Sequence, residues 1–175
     1  MNHLFSTERI NASVAEEADL DRIVHIQSHP ENRDYTWLNN KEEYLDIIKE
    51  EGVYILAFRK KGEDEIMGYA YLVHNAKIDS MEFRRLAVMD KSHGYGQEIV
   101  RGIQAFAFTK LKVHRLWLEV YTFNHKAIYL YEKLQFKREG TLRDAYKDHR
   151  GYLSQHVYSM LADEYRALDA SNPVI

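Results

Sequence analysis

The chain has 175 residues, no cysteine and two prolines, and its 24 Lys and Arg against 27 Asp and Glu leave a formal charge of −3. That length suits one domain, residues 1–175, with a core of its own. The missing cysteine excludes disulfides, thiol nucleophiles and cysteine-rich zinc sites, and the mildly acidic balance gives no electrostatic reason to bind nucleic acid or an anionic membrane.

The opening MNHLFSTERI has no apolar run, and no stretch approaches the roughly eighteen apolar residues of a membrane helix. Neither a signal peptide nor a membrane span is expected, and the cytoplasm is the expected compartment. Arg9–Ala15 predicts a short first strand. Glu17–His29 carries Leu20, Ile23, Val24 and Ile26 at helical spacing and stops before Pro30. A second helix is predicted over Asn40–Gly52, with Asn40 as N-cap, Tyr44, Leu45 and Ile48 apolar, and Gly52 past its end. Val53–Arg59 and Ile66–Val73 predict strands joined by the polar turn KKGEDE, and Ser80–Val88 predicts another. After KSHGYG at 91–96, Gln97–Leu111 sets Val100, Ile103, Ala107 and Leu111 along one helical stripe, widened by Ile99 and Phe106. Arg115–Val120 predicts a strand and Asn124–Leu134 a short helix capped by Asn124. Phe136–Ala145 and Tyr152–Leu161 predict two last strands around the turn YKDHRG, and Ala167–Ile175 an irregular tail. The order predicts an α/β chain with a mixed sheet covered by helices and a parallel strand pair on either side of Gly94.

Two of only eight glycines fall in KSHGYG, between a strand and a helix. The first N–H groups of a helix lack intrahelical partners, and the helix dipole favours an anion there. Gly94 and Gly96 would let a phosphate approach without a Cβ in the way, and Lys91 and His93 would add positive charge. The P-loop pattern is absent and so is the third glycine of a dinucleotide fingerprint. Alone, the loop equally fits a flexible helix start with no ligand.

The stretch SMEFRRLAV-MD-KSHGYG-QEIV, followed by RLWLEVYTFNHKAIYLYEKLQF, resembles the GCN5-related N-acetyltransferase (GNAT) superfamily. The tail FKREGTLRDAYKDHRGYLSQHVYSML looks like its ribosomal-protein and polyamine branch. The likeness covers roughly Val53–Leu161. The family's phosphate motif falls on Lys91, Gly94 and Gly96, and its second motif on Asn124, Ala127, Tyr131, Glu132, Lys133 and Phe136. Two departures stand out: Lys91 occupies a Gln/Arg position, and Gln135 occupies a glycine position where a positive φ is often wanted.

The resemblance implies a mixed, mostly antiparallel sheet with a splayed parallel pair, and direct transfer of an acetyl group from acetyl-CoA to an amine. The amine, with a pKa of roughly 10.4 as an ammonium, needs a base, the carbonyl needs hydrogen-bond donors, and the leaving thiolate benefits from a proton. The expected base is Glu82, a residue that equally fits a strand glutamate paired with Arg84 or Arg85. Regular alternation places it with Arg84, Leu86 and Val88 on one face. Tyr131, on a helical face with Ala127, Leu130 and Leu134, is the expected acid, the alternative being a core tyrosine. Cofactor contacts are expected from Leu86, Ala87, Val88, Lys91, His93, Gly94, Tyr95, Gly96, Gln97, Asn124 and Ala127.

On the acceptor side, ENRDYTWLNN offers Tyr35 and Trp37 to flank a side chain, and Glu31, Asp34, Glu42 and Glu43 to attract a cation. A solvated loop with two anchoring aromatics fits the same residues. His25 and His29 stand i, i+4, but without a third ligand they read as dipole-matched histidines near a helix end, so no metal is expected. The resemblance implies a polyamine-like molecule or a protein N-terminus as the acceptor. A homodimer is left open. A non-catalytic acyl-CoA-binding sensor on the same fold is the rival.

Overall fold

The computed structural model describes residues 3–171. It places β1 (His3–Ser6), β2 (Ile10–Val14), α1 (Leu20–Ser28), α2 (Lys41–Ile47), β3 (Val53–Lys60), β4 (Ile66–Asn75) and β5 (Ser80–Val88) in chain order. There follow α3 (Tyr95–Ala105), β6 (Arg115–Tyr121), α4 (His125–Lys133), β7 (Lys137–Asp148), β8 (Gly151–Leu161) and α5 (Ala162–Ser171). The eight strands form one sheet ordered β1-β2-β3-β4-β5-β6-β8-β7. Every neighbouring pair is antiparallel except β5–β6.

Each face of the sheet carries its own core. One gathers Leu56, Phe58, Leu72, Met81 and Phe83 under Ile99, Val100 and Ile103 of α3 and Tyr131 of α4. The other gathers Ile55, Ala57, Tyr69 and Tyr71 under Leu20, Ile23 and Ile26 of α1 and Tyr44 of α2. Strand alternation divides the side chains, with Tyr69 and Tyr71 to one side and Ala70 and Leu72 to the other. Among the described residues, no helix is long and apolar enough to cross a membrane.

Several boundaries differ from the sequence expectation. β1 was not expected; its Phe5 ring covers Gly102 of α3 so closely that a Cβ there would clash with the ring. α2 ends at Ile47, and the turn behind it runs to Gly52 at φ +79°, whose carbonyl accepts from the His74 N–H at 2.7 Å. Asn40 caps α2 with Glu43 as the reciprocal partner, as its position predicted. α3 begins two residues early and gives way to a π turn over Phe106–Lys110. The two last strands extend into the predicted turn, leaving His149 and Arg150 between them. The tail expected to be irregular is helical through Ser171, and residues 172–175 lie outside the described ones.

Candidate active site

β5 and β6 pair only over Ser80–Glu82 with Arg115–Trp117. Beyond that the strands run on, to Val88 and Tyr121, without pairing to each other. Into this splay opens a cleft of about 970 Å³, walled by both strands, the start of α3, α4 and the loop between α1 and α2. Its volume sits at the upper end of small-ligand pockets.

A β-bulge sets which side chains face which side. Phe83 lies opposite Leu72 and Arg85 opposite Tyr71, so Arg84 is the extra residue. The bulge flips the alternation: Leu86 and Val88 join Met81 and Phe83 on the α3/α4 side, whereas Ala87 turns to the α1/α2 core. The expected common face of Glu82, Arg84, Leu86 and Val88 is therefore corrected. Through its place opposite Val73, Glu82 lies on the α1/α2 face instead.

At the KSHGYG loop, Gly94 caps α3 at φ +81°, a left-handed conformation that suits glycine, and Ser92 is also left-handed at φ +71°. The first N–H groups of α3 follow directly. A Cβ at Gly96 would meet only the Leu130 Cδ2 at 3.7 Å, so the approach to the helix start is open. Arg9, just before β2, braces the loop: it pairs with Glu98 at 2.7 Å, donates to the His93 carbonyl at 3.1 Å and stacks over Tyr95 at 4.5 Å.

Leu86, Val88, Lys91, Gly94, Gly96, Gln97, Asn124 and Ala127 line the cleft. Ala87, His93 and Tyr95 do not. Ala87 is turned away by the bulge, His93 bonds to Asp90 at 3.0 Å, and Tyr95 lies between Arg9 and Lys60. Lys91 reaches across to the Glu31 carbonyl, and its burial lowers its pKa. Asn124 caps α4, accepting from the Ala127 N–H at 3.3 Å.

Tyr131 lines the cleft from the α4 side. Its ring meets Phe83 at 6.1 Å and Phe136 at 5.7 Å, both edge-on, and burial pushes its hydroxyl pKa up. The hydroxyl has no protein partner among the described residues. It thus keeps its proton and has a free donor. Gln135 takes φ +67°, the conformation a glycine would supply there, so the chain keeps its path at the end of α4. Tyr129 is 68% exposed, at the cleft mouth.

On the opposite face stand two carboxylates. Glu82 accepts from the Arg84 Nε at 2.8 Å, the pairing left open by the sequence. Glu119 of β6 has no hydrogen-bond partner among the described residues. Its pKa is raised, first by burial and then by the charge of Glu82. Tyr146 of β7 closes this group, its own pKa raised by burial and by Glu119 and Glu82. Sequence reasoning missed Glu119 and Tyr146. The signal for Glu119 was there: a charged residue inside a parallel strand, out of phase with Leu116, Leu118 and Val120.

The α1–α2 loop roofs this side. Lys91 holds it at Glu31, Arg85 donates to Asn39, and Arg150 of the β7–β8 turn donates to the Asp34 carbonyl at 2.8 Å. Tyr35 and Trp37 both line the cleft, and Tyr35 packs on Phe123 at 6.0 Å, which stacks on Tyr121 at 5.2 Å. Glu31 and Asp34 also border the cleft, whereas Glu43 is committed to its cap, accepting from the Asn40 N–H at 2.7 Å. His25 and His29 lie at the end of α1, and His29 Nδ1 accepts from the Glu31 N–H at 3.4 Å. Among the described residues, no three His, Cys, Asp or Glu are grouped to hold a metal.

A family model described as an acetyltransferase (GNAT) domain matches residues 9–137. The chain belongs to the GNAT acetyltransferase family. The SPbeta prophage-derived uncharacterized N-acetyltransferase YokL of Bacillus subtilis (strain 168) is 30% identical over 82 residues, which span 46% of this chain and 46% of that protein. Among solved structures, a GNAT-family acetyltransferase from Bacillus anthracis superposes with a TM-score of 0.78 at 18% identity, over 91% of this chain and 98% of that one. A variant of the SpeG spermidine N-acetyltransferase from Vibrio cholerae gives 0.80 at 20% identity, over 93% and 98%. At these identities the structural likeness is one of fold.

Proposed function

We propose that this protein transfers the acetyl group of acetyl-CoA directly to a primary amine of a small, polycationic acceptor. One observation carries the reading: a splayed strand pair with two carboxylates on one face, Glu82 and Glu119, and a buried, protonated tyrosine on the other. The family membership supports acetyl transfer, and a spermidine N-acetyltransferase among the structural neighbours supports the polyamine class.

The residues fit acetyl-CoA. The N–H groups opening α3 suit the pyrophosphate, with Gly94 and Gly96 keeping side chains out of the way. The edge of β5 from Phe83 to Val88, unpaired toward β6, suits the pantetheine arm as an added strand, and offers a backbone donor to the thioester oxygen. The cofactor supplies the activated acetyl group.

The chain's own residues divide the proton work. Arg84 donates to Glu82 and orients its carboxylate, which attracts the acceptor's ammonium. Glu119, unpaired and with a raised pKa, is the better-matched proton acceptor, directly or through one water. Tyr131 donates its proton to the departing sulfur from the opposite side. Trp37, Tyr35 and Tyr146 line the cleft as aromatic partners for the remaining cationic chain.

The test is to incubate the protein with acetyl-CoA and, separately, spermidine, an aminoglycoside and a peptide with a free N-terminus, and to identify products by mass spectrometry. Acetylated spermidine is expected. Acetylation of the peptide alone would overturn the acceptor class. Tight acetyl-CoA binding with no acetylated amine would favour the sensor.

A further inference from the structure

The acceptor face of the cleft contains one polar group that the proton chemistry leaves idle. Gln155 of β8 is 8% exposed and lines the cleft, and its Oε1 is fully buried without a hydrogen-bond partner. Among the described residues, no other side-chain nitrogen or oxygen is left in that state. A buried carbonyl oxygen without a donor is unfavourable, and folded chains rarely retain one that has no use.

Its position says what would satisfy it. Gln155 pairs with Tyr121 of β6, and Glu119 pairs with Val157, so Gln155 and Glu119 are diagonal neighbours on one face. In an antiparallel pair that diagonal is roughly 7–8 Å between backbones, close enough for two long side chains to converge on one small group. On its other side Gln155 pairs with Leu142 of β7, and Tyr146 follows on the same strand. The surroundings are rich in acceptors: Glu82, Glu119 and the Gln155 oxygen. The nearby cations are already engaged, Arg84 with Glu82 and Tyr71, Arg85 with Asn39 and Tyr44, and Arg150 with Asp148 and the Asp34 carbonyl. Among the described residues, no side chain donates to this oxygen, the neighbouring Tyr121 and Tyr146 hydroxyls included, so a donor brought in from outside fits there, and an amine with several N–H groups supplies one.

We infer that Gln155 is a ligand of the acceptor amine: its Oε1 accepts an N–H from the nitrogen that Glu119 also faces, fixing where that nitrogen sits in the splay. This rests on the amine-acetylation reading above and adds to it a neutral, oriented contact beside the two charged ones. Gln155 is a specificity and positioning residue; it moves no proton.

The inference separates binding from stability. Gln155→Leu fills the same space and removes the orphan oxygen, so a structural role predicts unchanged or greater thermal stability and unchanged kinetics. An amine ligand predicts a roughly tenfold or larger rise in the spermidine KM, the effect of losing one hydrogen bond to a charged group. The acetyl-CoA KM should stay unchanged. Gln155→Glu retains an acceptor oxygen and should keep the spermidine KM within a few-fold of wild type. Calorimetric titration of spermidine into wild type and both variants gives the same comparison without turnover. A folded Gln155→Leu variant with wild-type spermidine KM and affinity overturns the assignment while leaving acetyl transfer intact. An equal failure of Gln155→Glu and Gln155→Leu overturns it as well. Wild-type protein that neither binds nor acetylates spermidine overturns the acceptor reading, and the role of Gln155 with it.

Discussion

Replacing Tyr131 with Phe tests the acid half of the chemistry with little structural disturbance. The ring keeps its edge-on contacts with Phe83 and Phe136 at 6.1 and 5.7 Å. The hydroxyl has no protein partner among the described residues, so its removal leaves no buried group unsatisfied. Stability should change by less than about 1 kcal/mol. Burial raises the hydroxyl pKa, so the group is a donor throughout the neutral range and its loss is not mimicked by pH. A general acid typically supplies roughly 10²–10⁴-fold, or about 2.7–5.5 kcal/mol of barrier. The expected kcat loss lies in that range. It falls toward the lower end to the extent that CoA departs as a free thiolate, a thiol of pKa near 8.5 being a fair leaving group. Acetyl-CoA affinity should stay within a few-fold. Tyr129→Phe, altering an exposed residue at the mouth, should be neutral. The assay is thiol release under saturating substrates, with thermal melts and calorimetry on both variants. Full kcat in a folded Tyr131→Phe protein would return Tyr131 to the core.

Glu119 titrates high because of burial and the neighbouring Glu82 charge. Activity through it should rise with pH as it ionises, and Glu82→Gln, by removing a negative neighbour, should move the acid limb of kcat/KM to lower pH; an unmoved limb would mean that Glu119 is not the group observed. Gly96→Val should fold, since a Cβ there meets only Leu130 at 3.7 Å, yet weaken CoA binding more than roughly tenfold, about 1.4 kcal/mol; unchanged calorimetric affinity would remove the phosphate from that helix start. Trp37→Ala should raise the acceptor KM and spare the acetyl-CoA KM, and equal losses for both would place Trp37 elsewhere. Gln135→Gly should stabilise the fold by about 1 kcal/mol, because Gln135 holds φ +67°; a lower melting temperature would show that its side chain compensates.

What the sequence showed plainly was periodic or local. Strand alternation, the stripe through Val100 and Ile103, the Asn40 and Asn124 caps and the parallel crossing at Gly94 all follow from residues near each other in the chain. β1 was invisible because its support is tertiary, Phe5 resting on Gly102 of α3. The face of Leu86 and Val88 was misread because a bulge at Arg84 shifts the phase by one, and nothing in SMEFRRLAV announces it. The place of Tyr131 on the cleft wall was legible through its motif. Glu119 and Gln155 were not, since their meaning depends on β6 and β8 meeting beside the splay, a pairing no local pattern encodes. Lys91 was read as a phosphate cation, yet it spans to the loop at Glu31, a contact across 60 residues.

The central claim is that amine acetylation takes place in the β5–β6 splay, with carboxylates on one side and Tyr131 on the other. The most direct measurement is thiol release from acetyl-CoA, with and without spermidine, by wild-type protein and a Glu82→Gln/Glu119→Gln double variant of verified fold and CoA affinity. Spermidine-dependent release by wild type, reduced roughly a hundredfold or more in the double variant, is the predicted result. Release that ignores spermidine, or that survives loss of both carboxylates, would contradict it.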